Sequence, residues 1–86
     1  MTMPKFLDHH TTMPEVTPEA AREMASRIKA GKPDEHGVTG LNVFMCANGE
    51  GYCLSEAPDA ESVVKAHASL GFPLRREDVV EVNTIV

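Results

Sequence analysis

The sequence predicts an α+β fold with the element order β-α-β-β-α-β. Three observations carry that prediction. Apolar residues recur at helical spacing in two segments, residues 18–30 and 58–70. Segments of alternating or continuous apolar character precede, separate and follow them. Between the two middle strands stands only Asn48-Gly49-Glu50-Gly51, a composition that turns a hairpin and not a crossover. Helices alternating with strands around a central hairpin give the ferredoxin-like split βαβ arrangement. Its sheet has four antiparallel strands in the order 4-1-3-2, with both helices on one face.

The first strand covers residues 4–12, with Leu7 and His9 on one face and Phe6, Asp8 and His10 on the other. Thr17 is the N-cap of the first helix, Pro18 suits its first position and Glu19 its positive dipole end. Ala21, Met24, Ala25 and Ile28 form its apolar stripe, and Gly31 and Pro33 stop it. A polar loop leads to a strand over residues 38–47, and residues 52–57 return from the turn. Pro58 and Asp59 start the second helix, whose inner stripe is Ala60, Val63, Val64, His67 and Leu70; Gly71 and Pro73 end it. Residues 78–86 form the last strand, Val80 and Val82 pointing one way, Val79, Glu81 and Asn83 the other.

Eighty-six residues make a single domain, 1–86. Lys+Arg number 8 and Asp+Glu 13, a formal net charge of -5. A phosphate-driven nucleic-acid binder needs clustered cations, so neither nucleic acid nor an anionic membrane surface is an expected partner. No stretch approaches the roughly 18 apolar residues of a membrane span, and the N-terminal segment has no apolar signal-like region. The expected location is therefore the cytoplasm, where Cys46 and Cys53 stay reduced thiols. A chain this short buries only about 60% of its unfolded surface, which calls for help from oligomerisation or a metal. The sheet face without helices carries Phe6, Phe44, Val79 and Ile85 on this reading. Pairing of two copies across it predicts a homodimer, an α+β barrel.

The topology also gathers the polar side chains. Strands one and two end at the edge of the sheet where strands three and four begin, and the second helix ends there too. His9, His10, Met45, Cys46, Tyr52, Cys53, His67 and Asp78 all fall toward that edge. Two hairpin registers are open. A four-residue loop sets Cys46 opposite Cys53, with Met45 and Leu54 toward the helices; a two-residue turn pairs Phe44 with Cys53. With Leu7 packed under the helices, Asp8, His10 and Cys53 share the open face.

Imidazole, thiolate and carboxylate converging on one spot make the ligand set of a divalent transition metal. The bland alternative is that Asp8, His10 and Glu81 are polar groups at a hydrated edge and Cys53 a small buried hydrophobe. His67 replaces an aliphatic residue on the helix stripe. It is either a ligand, a group orienting one, or a buried imidazole bonded to a nearby carbonyl. His36, in the loop after the first helix, reads as solvated. A Cys46–Cys53 disulfide and a Cys53–His67 nucleophile pair rank below these readings.

The runs Lys5-Phe6-Leu7-Asp8-His9-His10 and Tyr52-Cys53-Leu54-Ser55-Glu56-Ala57-Pro58 resemble those of a small ferredoxin-like family that includes nickel-binding bacterial proteins. The likeness continues through Glu61, Val63, His67, Ala68 and the Gly71-x-Pro73 exit to Glu81-Val82. The resemblance implies divalent transition-metal binding, nickel first and zinc next, with Asp8, His10, Cys53 and His67 as ligands. It implies no enzymatic activity. Members of that family carry His and Asp on the first helix, where this chain has Arg22, Glu23, Arg27 and Lys29. Cys46 is an additional thiol. The expected function is a small metal-binding protein that stores, buffers or senses its ion. The alternatives are a barrel enzyme or small-molecule binder using a cavity at the sheet, and a domain with no site.

Overall fold

The computed structural model describes residues 3–13 and 15–85. Met1, Thr2 and Val86, part of the expected domain and of its terminal segments, lie outside the described residues. The elements are β1 (Lys5–His10), α1 (Pro18–Ala30), β2 (Thr39–Met45), β3 (Gly51–Glu56), α2 (Ala60–Ser69), a single 3₁₀ turn (Arg76–Asp78) and β4 (Val79–Val82). The sheet runs β2-β3-β1-β4 with every neighbouring pair antiparallel, which is 4-1-3-2 read from the other edge. The fold is the α+β ferredoxin-like arrangement expected.

Local chemistry sets the helix limits. Thr17 has extended backbone, and its hydroxyl oxygen accepts from the Ala20 amide at 3.1 Å. Gly31 closes α1 in the left-handed region, at φ 64°, where a side chain would be strained. Asp59 caps α2, its carboxylate accepting from both the amide and the hydroxyl of Ser62 at 2.8 and 2.7 Å.

The core is small: Phe6, Val38, Ala57, Ala60, Val63, Ala66, Leu74 and Val79. It lies between α2 and the centre of the sheet. Phe6 is its only aromatic ring, set among Ala, Val and Leu. The faces of β1 are therefore the reverse of those expected. Phe6 and Asp8 are buried and Leu7 is half-buried, so the even-numbered residues turn toward α2. Alternation fixes which residues share a face, not which face is covered. The small residues Ala57, Ala60 and Ala66 leave room for the ring of Phe6, and that decides the orientation.

The open face consequently has other members. Phe6 and Val79, expected there, are each 4% exposed in the core, and Ile85 stands beyond β4. Leu7 lies directly across from Leu54 and from Val80, and Phe44 from Tyr52. Phe44 and Val80 are exposed.

The hairpin takes neither expected register. Met45 pairs with Gly51, Phe44 with Tyr52 and Val43 with Cys53, so residues 46–50 form the loop. The Cys46 amide donates to the Glu50 carbonyl at 2.9 Å and the Gly49 amide to that of Cys46 at 3.1 Å, with Gly49 at φ 89°. A positive-φ glycine two places before the closing pair makes room for the residue that shifts the register. Cys46 is thus not opposite Cys53, and both thiols are free. Leu54 faces the open side and Cys53 the helix side.

Two helix expectations also change. The stripe of α1 lines an open cleft against Val43 and Met45, and no residue of α1 is fully buried. Leu70 is exposed, because α2 stops at Ser69 and the chain turns at Gly71; Ala66 and Leu74 fill the core in its place. His36, expected in solvent, is half-buried with its Nε2 3.1 Å from the Ser69 hydroxyl. Among the described residues no helix is long and apolar enough to cross a membrane.

Candidate metal centre

Asp8 and His10 share the covered face of β1 by their period of two, Cys53 sits directly across from Asp8 on β3, and α2 lowers His67 onto the same spot. Each of the four offers one donor atom, and those atoms lie within 4.8 Å of one another. All four residues proposed from the sequence are brought together. The reversal of the β1 faces is what admits His67, which would have been stranded on the far side of the sheet from an outward-facing Asp8.

The distances describe a tight group. Asp8 Oδ1 is 2.5 Å from His10 Nε2 and 3.4 Å from His67 Nε2. Cys53 Sγ is 3.6 Å from His10 Nε2. The two imidazoles lie 5.1 Å apart at 36°. His67 is oriented by its own helix: Nδ1 is 2.9 Å from the Val63 carbonyl. A carbonyl only accepts, so Nδ1 carries a proton and donates, which turns Nε2 toward Asp8 as the nitrogen able to take an ion.

Asp8 is completely buried, and among the described residues neither carboxylate oxygen has a hydrogen-bond partner of regular geometry. A buried charged acceptor left in this state costs the full desolvation of the group, about 1–3 kcal/mol or more. Native structures rarely keep such a group without a reason. Burial raises the Asp8 pKa above the ordinary carboxylate value, while the His67 and His10 charges pull it back. Burial, and then the neighbouring Asp8 charge, push the Cys53 thiol up to about 12. Two acids are thus crowded into one buried spot beside two imidazoles.

The donor set fits a divalent transition ion. One carboxylate, one thiolate and two neutral imidazoles carry two negative charges, which one such ion neutralises. Donors at metal-ligand distances of about 2.0–2.3 Å in a tetrahedral set stand roughly 3.3–3.8 Å apart. The 3.4 and 3.6 Å separations fall in that span, while Asp8 and His10 at 2.5 Å must move apart to share one ion.

The other candidates lie elsewhere. His9 points to the open face, where it is 3.1 Å from Glu50 Oε1 and stacks on Tyr52 at 4.9 Å. Cys46 belongs to the hairpin loop. Sequence reasoning missed the Val63 carbonyl that sets the His67 tautomer. The i, i+4 spacing of Val63 and His67 on one helix was the available signal.

The family described as "Nickel responsive protein SCO4226-like" matches residues 6–82. The crystal structure of SCO4226 from Streptomyces coelicolor A3(2) is similar at 29% sequence identity and a TM-score of 0.67, over 95% of this chain and 99% of that one. No curated protein matches the chain.

Proposed function

The chain belongs to the SCO4226-like family of nickel-responsive proteins, and from that premise we propose that it binds a divalent transition metal through Asp8, His10, Cys53 and His67. Nickel is the leading ion and zinc the next. The observation that carries this reading is the fully buried Asp8 carboxylate, which makes no hydrogen bond of regular geometry among the described residues and stands against two imidazoles and a thiol. A cation at their common centre satisfies every one of these groups at once. The protein's role on this reading is to store, buffer or sense the ion in the cytoplasm.

Binding is coupled to proton release. Burial holds Asp8 and Cys53 toward their neutral forms, and a ligand must be deprotonated to coordinate. The ion therefore competes with protons, and affinity rises with pH. Second copies of the chain associate through the open sheet face around Leu7, Phe44, Leu54 and Val80, which hides apolar surface and rigidifies the sheet beneath the site. A second reading, a small-molecule binder, draws on the apolar cleft between α1 and β2.

Titration of the untagged protein with nickel and with zinc tests the first reading. Wild type binds one ion per chain tightly, and His10→Ala and Cys53→Ser weaken it severely. Equal binding by all three proteins removes the proposal.

A further inference from the structure

The four donors are closed in on most sides. Asp8 is flanked across the sheet by Cys53 and by Val79, and α2 covers it from above. At the C-terminal end of β1 a cleft of about 250 Å³ opens, lined by His9, His10, Thr11, Thr12, Arg75 and Asp78 among others. His10 is the one donor residue that also lines this cleft. The cleft is polar, and room for several waters suits a partly hydrated ion.

Asp78 is placed in its wall by the single 3₁₀ turn before β4. Its carboxylate accepts from Arg75 Nε at 3.0 Å and Nη2 at 3.3 Å. Arg75 is itself mostly exposed and is shared with Glu77 at 3.0 Å. The positive group on Asp78 is thus a two-point guanidinium contact from a solvent-facing side chain that Glu77 also shares, so water and ions reach it directly. An incoming divalent ion can displace it.

We propose that this cleft is the route by which the cation reaches the site, that Asp78 is its first and transient ligand, and that Arg75 is the counter-ion it displaces. The inference rests on the metal-binding reading above. The carboxylate exchanges its guanidinium for the ion, His10 takes the ion next, and the ion passes to Asp8, Cys53 and His67 as the Arg75–Asp78 pair re-forms. Asp78 acts on the passage and not on the bound state, so it governs rates and not affinity.

Stopped-flow mixing with nickel(II), followed by thiolate-to-nickel absorption, tests this together with an equilibrium titration. Asp78→Asn slows association about three- to tenfold, in the range of local electrostatic focusing, and slows dissociation by the same factor. Its Kd stays within about threefold of wild type, since a step on the path affects both directions equally. Arg75→Ala, at an exposed position, accelerates both rates, and raising salt shrinks its advantage. Unchanged rates in both variants, or a change in Kd alone, overturn the proposal while leaving the metal site standing. Absence of nickel binding by wild type removes the site and this route together.

Discussion

Asp8 and His67 meet at 3.4 Å because β1 turns its even-numbered residues toward α2, and α2 in turn fixes the His67 ring through the Val63 carbonyl. A buried carboxylate on a strand and an imidazole nitrogen on a helix are thereby aimed at one point.

Removing His67 should be costly for the ion and mild for the fold. Its ring is largely covered but its only backbone bond lies within its own helix. His67→Ala should lower nickel affinity by more than the 10–100-fold typical of groups that merely orient a ligand. Calorimetric titration measures it. A loss of less than about tenfold would mean that His67 does not ligate.

Asp8→Asn separates stability from binding. The amide keeps the shape of the carboxylate and removes a charge whose burial outweighs its neighbouring imidazoles. The metal-free variant should melt no lower than wild type, and higher by up to about 1–3 kcal/mol equivalent. The rise in melting temperature that nickel gives wild type should vanish. Thermal unfolding with and without nickel reads both effects, and a destabilised variant that still gains from nickel would contradict them.

Stability of the metal-free protein should fall as pH rises above 9. The Cys53 thiol has its pKa raised from 9.0 to about 12, so the folded state holds a proton that the unfolded state releases. Where the unfolded state binds fewer protons, stability declines with pH, here by at most about 1.4 kcal/mol per unit between those two values. Asp8, also raised, acts in the same direction just above the ordinary carboxylate range. Denaturant melts at a series of alkaline pH values should show the slope, and Cys53→Ser should flatten it. The nickel-bound protein should lack it, because the thiolate is already formed.

Charge on the open face should dissolve the dimer. Val80→Lys places an ammonium directly across from Leu7, and Val80 is 58% exposed within one chain, so the protomer tolerates the change. Sedimentation should give a dimer for wild type and a monomer for the variant. Identical masses would place any interface elsewhere.

The strand order and the α1 limits were legible in the sequence because caps and periods are local. Thr17, Gly31 and Asp59 each act within a turn of the backbone. Asp8, His10 and Cys53 were also legible as a group, since pairing across two strands follows from topology. The side of the sheet they occupy was not. Leu7 and Phe6 are equally apolar, and the choice between them depends on how much space the alanines of α2 leave, a property of packing between distant segments. The hairpin register was hidden likewise, because one extra residue at a glycine shifts every pair. The observed register stands one residue from the two-residue-turn expectation and three from the one that paired Cys46 with Cys53.

A helix held by its two caps while none of its residues is fully buried is a nearly independent opening unit. Amide exchange in α1 should run well ahead of exchange at β1, β3 and the core-facing turns of α2, and nickel should slow the latter without reaching α1. The same independence makes α1 the part of the chain most free to change its side chains. Arg22, Glu23, Arg27 and Lys29 stand exposed on it. Exchanging such residues disturbs neither Phe6 nor Val63, so the surface of this helix is free to change without cost to the core.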